Sequence, residues 1–212
     1  MSKPILNVIT PTLNKVLENN PVPNNIEELS NFIVHSMKEC ERIARKDHNM
    51  SANQLGRCNG DWFEHLFEKS VISQIGKENI KVYPGRGHHI KEINGFEKVD
   101  WIPLPDAIIK DVNDFRGIIS LKWGMRHDRM YEAAYEAFAI KYWVAKNKLP
   151  KVKVFLFTND NFSGYKARLK IMANVPVLDG VFYLEHSKLS EDLKKKIKSF
   201  SELIIELQAL SS

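Results

Sequence analysis

Cysteine is nearly missing from this chain: Cys40 and Cys58 are the only two in 212 residues. They stand eighteen positions apart with no CxxC and no histidine cluster beside them, so they read as ordinary thiols and not as a zinc site. With so few, a disulfide-stapled secreted scaffold is excluded and a reducing cytoplasm is the expected compartment. Long apolar runs are also lacking. None approaches the roughly 18 residues of a membrane span, and the opening MSKPILNVITPTLNK has neither the basic lead nor the apolar core of a signal peptide. Internal repeats and low-complexity linkers are absent as well.

What is present describes a globular protein. Hydrophobic residues make up 43% and aromatics 10%, which argues against disorder. The length suits one substantial domain, or one with a helical appendage. A net charge of +5 and an isoelectric point near 9.1 suit an anionic partner such as nucleic acid without selecting it.

Residues 1–57 read as a helical, polar region, broken at NNPVPNN. Leu29, Phe32, Ile33, Met37 and Ile43 recur at helical spacing. A core-packing helix is expected next, with Asp61 as N-cap, Phe63, Leu66, Phe67 and Val71 buried, and Gly76 as its stop. Strands are expected in IKVYP, DAIIKDV and GIISLKW, then a long helix from His127 to Lys146, a buried strand in KVKVFLFT, a helix in SGYKARLKIMANV, a strand in GVFYLE and a C-terminal helix from Ser190 to Leu210. This order describes an α/β domain over 58–212 with helices covering a central sheet, and residues 1–57 packed on it. Lys194, Lys195, Lys196 and Lys198 read as one solvated helix face, with a contact to a DNA backbone as the sharper alternative.

Chemistry gathers in the middle of the chain. Asp106 opens one strand, and Ser120 and Lys122 share one side of the next by the two-residue period. A carboxylate and an amine can therefore meet at one sheet edge, as a metal-assisted phosphodiester cleavage needs; a plain surface ion pair is the alternative. Glu136 lies in MYEAAYEAFAIKYWVA, a helix apolar nearly all round and expected to be largely buried. A buried lone carboxylate costs several kcal/mol unless a cation compensates it. The alternative is a narrow solvent stripe of Glu132, Glu136 and Lys141. Glu64, one turn before Glu68, is either helix surface or part of the same site.

The series Pro105-Asp106, Ser120-Leu121-Lys122 and Glu136 resembles the PD-(D/E)xK nuclease signature, in the variant found in type II restriction endonucleases that recognise a CCGG core. In that branch serine or threonine replaces the acid before the lysine, and a glutamate about fourteen residues beyond the lysine supplies the missing carboxylate; Lys122 and Glu136 are fourteen apart. The segment KWGMRHDR is similar to the K-W-x-x-R-x-D-R recognition segment of the same enzymes, with Arg126, Asp128 and Arg129 in place. The resemblance covers roughly residues 100–185. It implies a restriction-endonuclease-like core in which Asp106 and Glu136 hold Mg²⁺, Lys122 stabilises charge or orients water, Ser120 lines the site, and Glu64 supports the metal from an N-terminal helix. The chain is shorter than many such enzymes and the connection from Asp106 to Ser120 is compact, which implies fewer contacts to bases outside the core.

Guanine N7 and O6 suit the arginine fork, and an aspartate accepts from cytosine N4, so Arg126, Asp128 and Arg129 at a helix start can read two G·C pairs in the major groove. Without the resemblance, Asp128 is an N-cap and the arginines clamp phosphate. Trp123 reads as core. Double-stranded DNA with a CCGG-containing palindrome is the implied partner, cut by a homodimer or larger assembly within a restriction–modification system. A repair or structure-selective nuclease of the same fold, or a DNA-binding module without catalysis, are the rival readings.

Overall fold

The computed structural model describes residues 3–82, 105–110, 115–124, 127–159 and 164–210. Three helices lead: α1 (Lys3–Asn19), α2 (Ile26–His48) and α3 (Ala52–Ile75). The Asn25 side chain caps α2 by accepting from Glu27 N at 3.1 Å, and Asn49 ends it in the left-handed region at φ 51°. The stripe of Leu29, Phe32, Ile33, Met37 and Ile43 is buried as its spacing predicts.

The third helix begins earlier than expected. Ser51 and Gln54 form a capping box, Ser51 N donating to Gln54 Oε1 at 2.9 Å, so α3 starts nine residues before Asp61. Asp61 is no N-cap; it is buried inside the helix, where desolvation raises its carboxyl pKa and His65 opposes the rise. Gly56 and Gly60 hide this start from a propensity reading, but Leu55, Cys58 and Trp62 bury their side chains in helical register and override it. The 57/58 boundary accordingly falls within α3. Cys40 and Cys58 are buried free thiols on α2 and α3, with pKa pushed up by burial to about 12 and about 11.

Among the described residues six strands follow: β1 (Ile80–Val82), β2 (Ala107–Lys110), β3 (Phe115–Lys122), β4 (Lys153–Thr158), β5 (Gly180–Tyr183) and β6 (Lys198–Ser199). They lie in the sheet in chain order. β1, β2 and β3 pair antiparallel, whereas β3 through β6 run parallel. Parallel neighbours need crossovers, which α4 (His127–Lys146) provides between β3 and β4, α5 (Tyr165–Met172) between β4 and β5, and the segment with the short helix at Glu191–Lys194 between β5 and β6. The result is an α/β protein with N-terminal helices followed by a mixed sheet flanked by helices.

The expected single C-terminal helix is instead α6 (Glu191–Lys194), strand β6 and α7 (Phe200–Leu210). Ser199 restarts the helix: its backbone N donates to Glu202 Oε2 at 2.7 Å and its Oγ accepts from Glu202 N at 3.3 Å. This is the S-x-x-E box of Ser199-Phe200-Ser201-Glu202, which the lysine-rich run obscured. Lys194 bonds Glu191, Lys196 bonds Asn174 and Lys198 bonds Glu206, so these lysines do not share one helix face.

Strand alternation divides the core. Ala107, Ile109, Ile119, Leu121, Phe155, Phe157 and Phe182 face α1, α2, α3 and α7. On that side the Phe157 ring stacks on Phe200 at 4.7 Å and on Phe63 at 5.3 Å. Truncating a phenylalanine so enclosed costs about 3–5 kcal/mol. The other face carries Ile108, Ile118 and Val154 against Ala137, Ile140 and Val144 of α4, with Leu156 and Val181 against α5. Among the described residues no helix is long and apolar enough to cross a membrane.

Candidate active site

Because Ile119 and Leu121 enter the core under α3, Ser120 and Lys122 between and after them turn to the α4 side. Ala107 pairs with Ile119, so Asp106, one step before β2, comes level with the end of β3. There its Oδ2 accepts from Leu121 N at 2.7 Å and from Lys122 Nζ at 2.9 Å. Both partners share that oxygen. The carboxylate thus extends the strand ladder and holds the lysine, which is only 5% exposed. An ordinary surface ion pair does not have this burial.

Glu136 approaches the same corner from the middle of α4. It is 2% exposed, and Ser120 Oγ donates to its Oε2 at 2.8 Å. The solvent-stripe alternative is therefore wrong for Glu136, although Glu132 one turn earlier is exposed. Burial pushes the Glu136 carboxyl up to about 7; Lys122 opposes this, Asp106 and Glu132 add to it, and the Ser120 bond lowers it again. Burial by itself pulls the Lys122 ammonium down, but Asp106, Glu136 and Glu132 outweigh it and the net direction is upward. Lys122 accordingly stays charged.

Acids exceed bases at this corner. Among the described residues no three His, Cys, Asp or Glu side chains gather to hold a metal ion. The available donors are the two carboxylates of Asp106 and Glu136, and hard oxygens of this number suit Mg²⁺, which takes one or two protein carboxylates and keeps several waters. Two carboxylates beside the single buried cation Lys122 fit such a metal.

Two neighbouring groups were not singled out by the sequence. Thr158 sits opposite Lys122 in the parallel register, and its Oγ donates to Lys122 O at 2.6 Å. Asn159 N also reaches that carbonyl, at 3.3 Å, while its buried Oδ1 accepts no hydrogen bond. Their signal was the polar Thr158-Asn159-Asp160-Asn161 directly after an apolar strand, legible only once β3 and β4 are known to pair.

The first turn of α4 adjoins the cluster. Arg129 Nη1 bonds Glu132 Oε2 at 3.0 Å, and Glu132 Oε2 lies 3.9 Å from Lys122 Nζ. Asp128 and Arg129 are both exposed there; Arg126 lies outside the described residues. Trp123 packs beside Phe63 at 5.2 Å, in keeping with a core role. Glu64 follows Phe63 on α3 and is half-buried there. No protein-family model matches the chain, and no curated protein matches it.

Proposed function

We propose that this chain is a Mg²⁺-dependent type II restriction endonuclease with a PD-(D/E)xK core, cutting duplex DNA at a palindrome that contains CCGG. The observation that carries this reading is the meeting of Asp106, Lys122 and Glu136, from three separate elements, at one end of β3. Random surface charges do not converge with a lysine and a glutamate both buried. Asp106 and Glu136 would hold the cation, which when bound polarises the phosphoryl oxygens and eases ionisation of water. Ser120 fixes the Glu136 carboxylate by donating to it. Lys122, kept protonated by its acidic neighbours, faces the negative charge that builds on phosphate as water attacks phosphorus and the bond to the leaving oxygen breaks. In this reading Asp128 and Arg129 at the start of α4, with Arg126 just before it in sequence, would read the major groove, the arginines donating to guanine and the aspartate accepting from cytosine N4.

Digestion of a long unmethylated DNA with Mg²⁺, followed by sequencing of the fragment ends, tests the assignment. Ends that share a CCGG core are expected, and Ca²⁺ in place of Mg²⁺ should preserve binding without cleavage because the larger ion holds looser geometry. Ends with no common sequence would point to a structure-selective nuclease. Specific binding without any cut would identify an inactive module, and undiminished cutting in excess chelator would remove the metal.

A further inference from the structure

The helix that carries Glu136 has a second apolar side. Met130, Ala133, Ala137, Ile140 and Val144 of α4 are buried against the sheet. On its outer side Tyr131, Tyr135, Phe138 and Tyr142 are 68%, 50%, 56% and 48% exposed. The sequence expects a helix this apolar to be covered on both sides; the single chain covers one. We propose that α4 packs against α4 of a second copy of this chain, across a two-fold axis parallel to the helices.

Spacing points to a helical partner. Tyr131, Tyr135, Phe138 and Tyr142 follow one another at four, three and four residues, and exposed Ala145 continues the series. This is the 3.5-residue period of a two-helix seam, narrower than the face a helix turns to a sheet. The Phe138 and Tyr142 rings already stack, with centroids 6.2 Å apart, and Lys146 lies over Tyr142. About half of each ring's 150–250 Å² is in water, so four rings offer on the order of 400 Å² per protomer. Both copies together reach about 800 Å², about two thirds of the ~1,200 Å² at the lower end of stable interfaces, before the flanking side chains are added. An isologous pair needs one patch that complements itself, and an aromatic seam without charge on its midline does so.

Orientation rests on the nuclease reading, whereas the pairing does not. The 20 residues of α4 span about 30 Å. Antiparallel helices would set their starting turns about that far apart, whereas parallel helices set them about 8–10 Å apart. A four-base-pair core covers only about 14 Å at 3.4 Å per step. Two copies of the Asp128–Arg129 turn can read adjacent half-sites only from the parallel arrangement.

Sedimentation equilibrium of the full chain should give twice its 24.5 kDa mass. Phe138→Glu, and separately Tyr142→Glu, should weaken that association at least a hundredfold while the melting curve of the monomer stays cooperative. Tyr131→Cys should form a disulfide-linked dimer on mild oxidation, since like residues meet at a parallel seam and the native thiols Cys40 and Cys58 are buried. A wild-type monomer at tens of micromolar, or dimers that persist in both glutamate variants, would overturn the pairing. Cross-linking only when Tyr131→Cys and Tyr142→Cys chains are mixed would overturn the parallel orientation. A dimer with these signatures but no preference for CCGG would keep the α4 seam and refute the restriction-enzyme reading instead.

Discussion

Ser120 Oγ donates to Glu136 Oε2 at 2.8 Å across sixteen residues of chain, tying the end of β3 to the middle of α4. A serine at this strand position leaves room for a carboxylate to arrive from the helix, and its hydroxyl fixes which way that carboxylate faces. The pair explains how an acid absent from the strand can still stand next to Lys122.

Glu136→Ala should reduce cleavage by at least a thousandfold, whereas Glu132→Ala should change it less than tenfold. Only Glu136 is buried beside Ser120; Glu132 is exposed and touches Lys122 at 3.9 Å. Both lie on α4, so general helix damage is controlled. Single-turnover cleavage of a CCGG duplex at saturating enzyme measures it, and equal rates in the two variants would refute the role of Glu136.

Glu136 ionises near pH 7 in the fold against 4.5 for the ordinary side chain. Between those values the folded protein keeps a proton that the unfolded chain has lost, so stability falls as pH rises through this window. The penalty is absent below about 4.5 and complete above about 7, where the shift corresponds to about 3 kcal/mol. In chelator-treated protein Glu136→Gln should therefore melt increasingly above the wild type from pH 5 to pH 8. Parallel pH profiles for the two proteins would show that Glu136 is not held protonated by burial.

Arg129→Ala should lower preference for CCGG over CTAG or GGCC far more than it lowers salt-sensitive binding to random DNA, which follows total phosphate contacts. Each lost bidentate contact is worth about 1–3 kcal/mol, and a dimer loses it in both half-sites. In the free protein Arg129 bonds Glu132, so DNA must take over that guanidinium. Asp128→Asn tests the hydrogen-bond sign, because the amide turns a donor toward cytosine N4. Competition binding at fixed salt reads both, and an unchanged preference in both variants would place recognition elsewhere.

Gly117→Ala should destabilise the protein by about 1–3 kcal/mol, because overpacking a close contact forces the backbone to shift. A Cβ at Gly117 would stand 2.4 Å from Lys153 O on the paired strand. Gly56→Ala, exposed on α3 with nothing near the new Cβ, should instead stabilise by up to about 1 kcal/mol. Urea unfolding of the two variants gives the signs, and a neutral Gly117→Ala would show that β3 and β4 do not approach as closely as described.

The sequence by itself determined the elements whose signals are local. α4 runs from His127 to Lys146 as its pattern predicts, and the strands at DAII, GIISLK and KVFLFT stand where alternation and apolar runs place them. Strand period put Ser120 and Lys122 on one side, while Asp106, Lys122 and Glu136 were singled out together only by the resemblance of their spacing to a nuclease signature. Tertiary structure decided the rest. Two glycines hid the start of α3 and a lysine run hid β6, since propensity is weak beside the burial of Trp62 or Ile197. Only the register of β3 on β4 put Thr158 next to Lys122. Only burial by the sheet lifted the Glu136 pKa and left the aromatic side of α4 in water, because desolvation depends on what surrounds a side chain and not on its neighbours in sequence.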